Sequence, residues 1–182
     1  MSKNSNNTTI HLEHSLQAFF FDELQSINKK TTKPLPNEMI FYSSMVLDRY
    51  AESANYFSVE EDGSIKEKVL GLKLLEASQK GSRQKQMELK EVGDTALILC
   101  GIFSESVNRK ITDLSYYQSL GQSAYQQLNT IIPQLYEMPD FYLNVSHFFQ
   151  KIMSLLSIVS NELLSNRSDD QFLIFSNKIK VN

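Results

Sequence analysis

Gly93-Asp94-Thr95-Ala96-Leu97-Ile98-Leu99-Cys100-Gly101 is the stretch on which the reading of this chain turns. Leu89, Val92, Ala96, Leu99 and Phe103 recur at the three-to-four-residue rhythm of one helix face, so the stretch predicts a helix with that face turned inward. Asp94 interrupts the apolar character at its start, and a carboxylate there is costly to bury without a partner. It is therefore expected either at the surface or deliberately paired. Arg109, Lys110, Tyr116 and Tyr117 are the nearby candidates if the helix folds back on the next one as a hairpin.

Working outward, this fourth helix is expected to start at Ser82, a cap candidate after Gly81, and to end near Asn108. Thr112 or Asp113 then caps a fifth helix with Tyr117, Leu120, Gly121, Ala124, Leu128 and Ile131 on one side. Upstream, Leu12, Leu16, Phe19, Phe20, Leu24 and Ile27 mark helix one. Pro34 and Pro36 enforce an extended connector, and Ile40, Ser43, Leu47, Tyr50, Ala51 and Ala54 carry helix two. Ser64 with Glu67 has the spacing of a capping box for helix three, whose inward face is expected to be Ile65, Val69, Leu72, Leu75 and Ala77. Downstream, Phe141, Val145, Phe148, Ile152, Leu155, Val159 and Leu163 read as one long helix to about Ser165. Residues 1–9 read as a flexible tail, and Asn166–Asn182 as either a short helix or an edge strand.

The expected fold class is all-α: one domain over residues 10–182, a bundle of about six or seven helices with mostly antiparallel neighbours. A chain of 182 residues with 41% hydrophobic and 21% charged residues can bury a sizeable core. The net charge of −3 is spread out, and the basic stretch Lys80, Arg83, Lys85 and Lys90 is broken by Glu88 and Glu91 without interleaved aromatics. Nucleic acid is not an expected partner. No apolar stretch approaches the roughly 20 residues of a membrane span, and no secretion signal is visible. A lone Cys100 within an apolar run points to a buried, inert thiol and a reducing, cytoplasmic setting.

Catalytic and metal-binding patterns are missing. His11 and His14 lie one turn apart without a third ligand, and His147 stands alone. There is no Glu-x-x-His pair, phosphate-cradling glycine loop, nucleophile elbow or H-E-x-x-H, so no cofactor and no metal are expected. Gly71, Gly93, Gly101 and Gly121 fall inside helices, where each costs about 1 kcal/mol relative to alanine. Close helix packing is the plain reason for them, and a cavity between helices four and five is the functional alternative.

GDTALILCGIFSESVNRK and DLSYYQSLGQSAYQQL together resemble a family of uncharacterised bacterial all-helical proteins. The pattern is carried by Gly93 and Asp94, Gly101 and Phe103, Arg109, Tyr116 and Tyr117, Gly121, Ala124 and Tyr125. LQAFFFDEL and FYSSMVLDRY fit more loosely. The resemblance implies a cytoplasmic bacterial helical protein and brings no activity, cofactor or catalytic residue.

Two functional expectations follow. The first is a non-enzymatic interaction or regulatory protein acting through a helical surface or self-association, because Phe19–Phe21, Tyr42 and Met45 offer more apolar surface than one helix face can bury. The second is a small-ligand-binding or enzymatic bundle in which Asp94, Arg109, Tyr116, Tyr117 and Tyr125 line a pocket between helices four and five.

Overall fold

Helix α1 (Leu16–Lys29) begins where the Ser15 hydroxyl accepts the backbone N–H of Ala18 at 3.2 Å, which satisfies one of the donors left open at a helix start. The computed structural model describes residues 15–52, 67–104 and 114–165, and α1 is its first element. The proline connector follows. The Asn28 side chain holds it, receiving the Leu35 N–H at 2.8 Å and donating to the Leu35 carbonyl at 3.0 Å. Buried Asn28 thus stands in for a strand partner to an extended segment that has none.

Next come α2 (Asn37–Glu52), α3 (Glu67–Ala77), α4 (Ser82–Gly101) and α5 (Leu114–Ile131). A short hairpin, β1 (Gln134–Leu135) with β2 (Met138–Pro139), leads to α6 (Phe141–His147) and α7 (Phe149–Ser165). Seven helices among the described residues make an all-α bundle. Contacts fix the directions. Gln25 meets Asn37, Lys73 meets Glu91, and Gly93 and Gly121 meet Tyr125 and Ala96, so α1/α2, α3/α4 and α4/α5 run antiparallel. Helix α4 is the spine: Leu89, Val92, Gly93, Asp94 and all of Ala96–Gly101 are buried on it. No helix among the described residues is long and apolar enough to cross a membrane.

Three expectations need correction. The inward face of α3 is only partly the one its sequence suggests: Ala77 is buried as expected and Leu70 joins it, whereas Leu72 is 54% and Leu75 70% exposed. This helix scatters its leucines and its charged residues around the axis, so several registers bury leucines equally well and packing against α4 and α5 decides between them. The long C-terminal helix is two helices, because Phe148 departs from helical geometry (φ −88°, ψ 4°). No glycine or proline marks that break. The offset seats the Phe149 ring, which is fully buried, in the space that Gly121 leaves open. Helix α4 ends at Gly101 rather than near Asn108, closed by the Ile102 N–H on the Ile98 carbonyl at 2.8 Å. Its start also shifts, with Gly81 capping in extended conformation without a side-chain bond and Ser82 already helical.

The hairpin is absent from the sequence reading. Tyr136 and Glu137 form its two-residue turn with φ of 52° and 60°, values normally left to Asn and Gly. Asp140, at φ 52°, sits in the same left-handed region as the residue before α6. Asn129 of α5 over-determines this corner: it donates to the Asp140 carboxylate at 3.0 Å and accepts the Leu143 N–H at 3.2 Å, capping α6 from another helix. The expected tail at 1–9, His11 and His14, the Ser64 capping box, Arg109, Lys110, the Thr112 or Asp113 cap and the segment Asn166–Asn182 lie outside the described residues.

Candidate functional site

Asp94 lies in the middle of α4 with no exposed surface. Its carboxylate is paired, and heavily so. One oxygen accepts the hydroxyls of Tyr42 at 2.6 Å and Tyr125 at 2.8 Å; the other accepts the Lys90 ammonium at 2.5 Å, with an Arg49 guanidinium nitrogen at 3.6 Å. Three helices converge here. Tyr42 and Arg49 come from α2, Lys90 and Asp94 from α4 one turn apart, and Tyr125 from α5.

Aromatic rings seal the network. Tyr42 packs edge-on against Tyr125, Phe141 and Tyr142, while Tyr125 stacks with Tyr142 at an interplanar angle of 10°. Lys90 also lies over the Tyr42 face, 5.0 Å from its centroid, so its charge is held by a carboxylate and a π-face together. Burial pushes the Tyr42 and Tyr125 hydroxyls well above the usual phenol pKa, and the adjacent Asp94 charge pushes them further. Both are therefore hydrogen-bond donors, not bases. Tyr50 and Tyr142 are raised by the same causes in the same order.

The glycines of α4 and α5 belong to this seam. A Cβ on Gly93 would stand 2.7 Å from the Tyr125 ring, and one on Gly121 would stand 2.6 Å from Phe149 and 2.9 Å from the Ala96 Cβ. At Gly101, the Leu156 Cβ would be 2.7 Å away. The missing side chains are occupied by neighbouring side chains, as close packing requires.

Of the sequence-derived site residues, Asp94 and Tyr125 meet directly. Tyr116 and Tyr117 pack on each other, ring centroids 5.5 Å apart, and the Tyr116 hydroxyl sits over Gly71. Nine residues separate Tyr116 from Tyr125 along α5, about 13 Å at 1.5 Å per residue, so those tyrosines stand at a different level of the bundle. Arg109 is outside the described residues. The sequence reading missed Tyr42, Lys90 and Arg49. Lys90 stood in plain view, four residues before Asp94 on one helix, the spacing at which opposite charges meet. Tyr42 carried no such signal, being 52 residues away.

Cys100 is buried, and burial raises its thiol to about 12, well removed from thiolate chemistry at neutral pH. His147 is exposed at the end of α6. Among the described residues, no three of His, Cys, Asp and Glu are grouped to hold a metal ion.

A second feature lies outside the core. Phe41 (39% exposed), Met45 (37%) and Arg49 (58% for its side chain) project from successive turns of α2. Tyr136, also 39% exposed, extends from the strained hairpin turn to join them. Its ring packs edge-on against Phe41 at 5.6 Å and its hydroxyl reaches the Met45 sulfur at 3.2 Å. Phe21 packs against Phe41 from α1 at 6.4 Å. Of the apolar surplus expected on Phe19–Phe21, Tyr42 and Met45, Phe20 and Tyr42 are core residues, Phe19 and Phe21 are partly buried and only Met45 is exposed; Phe41, outside that expectation, is exposed beside it.

Fold and site together define an all-α bundle keyed by a buried, fully paired carboxylate. No family model, no curated protein and no solved structure matches this chain. The resemblance noted for α4 and α5 therefore rests on their motifs alone.

Proposed function

We propose that this chain is a non-enzymatic cytoplasmic interaction protein whose working surface is the stripe formed by α2 and the 134–139 hairpin. The observation that carries this reading is the exposed cluster of Phe41, Met45 and Tyr136, held together outside the core by a turn in which a bulky residue adopts positive φ. Such strain costs on the order of 1–3 kcal/mol and persists where surrounding structure imposes it, often at binding sites. Aromatic, methionine and arginine side chains are the types enriched in protein interfaces.

The Asp94 constellation supports the non-enzymatic half of the reading. Its carboxylate oxygens are taken up by protein donors, its tyrosines are held protonated, and the space between α4 and α5 is filled by Tyr125 and Phe149. A pocket-based activity there would need that packing to open.

Site-specific photo-crosslinking in the native cell tests the proposal, with the reactive side chain placed at Phe41 or, for comparison, at Leu75 on α3. Discrete adducts from position 41 and none from position 75 are expected. An adduct of twice the chain's mass would identify self-association as the form of the interaction. No adduct from position 41 would overturn the proposal.

A further inference from the structure

Resting on that reading, we infer that the stripe receives an amphipathic helix carrying one carboxylate about two turns from a bulky apolar side chain, the carboxylate on Arg49 and the apolar group on Phe41, Met45 and Tyr136. The geometry is set by α2. Phe41, Met45 and Arg49 follow one another at four-residue spacing, so a line of about 12 Å runs from the aromatic end to the guanidinium. An antiparallel helix laid along it repeats the same spacing, as in helix-in-groove recognition.

The charge follows from how Asp94 is shared. Lys90 already holds the outer Asp94 oxygen at 2.5 Å, and Arg49 reaches the same oxygen only at 3.6 Å with its side chain 58% exposed. Among the described residues Arg49 makes only this long ion pair, so its exposed guanidinium keeps N–H donors for a further carboxylate. The guanidinium carries five N–H donors in a fork that matches a carboxylate. The same surface limits how acidic the partner can be. Exposed Glu137 beside Tyr136 and half-buried Asp48 beside Arg49 would repel a run of acids, so a lone carboxylate at the Arg49 end is selected.

Three synthetic helix-forming peptides test this, read by the Met45 methyl resonance of the full-length protein. One carries a phenylalanine and a glutamate seven residues apart; the second has glutamine in place of that glutamate; the third places the glutamate beside the phenylalanine. The first is expected to bind about tenfold more tightly than either of the others, with the difference shrinking as salt screens the pair. Arg49→Gln should erase that tenfold preference, so that the glutamate and glutamine peptides bind it alike. A thermal melt checks that it stays folded. Equal binding of all three peptides, or an unaltered preference in Arg49→Gln, overturns the inference while the docking stripe stands. No movement of Met45 with any peptide also overturns it. Loss of the Phe41 adducts overturns the stripe itself.

Discussion

Helix α4 is held on one side by α3 and on the other by α2 and α5, and the two seams use charge in opposite ways. Against α3, Lys73 pairs with Glu91, a pair whose charges water shares, and in the turn between the two helices Lys80 pairs with the mostly buried Glu88. Against α2 and α5, Asp94 is withdrawn from water and held by two tyrosines and two cations. An exposed pair gains little and loses little when broken, whereas a buried charge is neutral in cost only while every partner is present. The α4/α5 seam is therefore specified by its chemistry, and the α3 seam by whatever leucines fit.

Breaking the buried seam at its centre should have the largest effect. Asp94→Ala strands Lys90 and leaves two buried hydroxyls without an acceptor. A loss of about 3–5 kcal/mol is expected, read as a fall in the urea midpoint at constant slope. A loss below about 1 kcal/mol would mean that water enters the site and the carboxylate is not keyed as described.

Gly93→Ala attacks the same seam by volume. The new methyl would meet the Tyr125 ring, itself fixed between Tyr142 and Tyr42, so overpacking of about 1–3 kcal/mol is expected to outweigh the ordinary gain from alanine in a helix. Gly81→Ala sharpens the contrast. Nothing lies within 4 Å of that position, and its effect on the urea midpoint should be slight.

The same contrast explains what could be read from sequence. Periodicity sufficed for α1, α2 and α5 because each has one apolar face; it marked α4 as a helix but not its ends, since the second half of α4 is buried all round, and the cost of burying Asp94 was enough to single it out. Its partners were only half legible. Lys90 follows from helix spacing and Tyr125 from its place on α5, but Tyr42 and Arg49 arrive from α2, and which residues of one helix face another is a tertiary choice. Two failures were also physical. In α3, Leu70, Leu72, Leu74 and Leu75 satisfy more than one register. At Tyr136-Glu137, neither residue favours positive φ, so the turn depends on Asn129, Phe41 and Met45, none of which is local.

A pH titration separates the buried phenols from exposed ones. Tyr42 and Tyr125 are raised above their unfolded value of 10.0, first by burial and then by Asp94. Being neutral when protonated, they contribute fully below that pH. Above it the unfolded chain gives up protons that the folded chain keeps, and stability falls by about 1.4 kcal/mol per pH unit for each such tyrosine. Phenolate absorbance from these residues should rise together with loss of helical signal. Ionisation of Tyr42 and Tyr125 near pH 10 with the helices intact would show the seam open to water. Asp94→Asn removes the charge that helps raise both hydroxyls, so the total pH-dependent loss should be smaller while its onset, set by the unfolded value, stays in place.

The smallest effect belongs to α3 and tests its register. Leu75 is 70% exposed, so Leu75→Gln removes little buried surface and should stay within about 0.5 kcal/mol of the parent. Were the face suggested by the bare sequence the buried one, the same change would put an amide into the core and cost several times more. Leu70→Gln supplies the reference, because Leu70 is buried three residues before the Lys73–Glu91 pair and should show that core-sized loss. A neutral Leu75→Gln beside a damaging Leu70→Gln would show that α3 holds its place through Leu70 and Ala77, with its outer leucines contributing nothing to the fold.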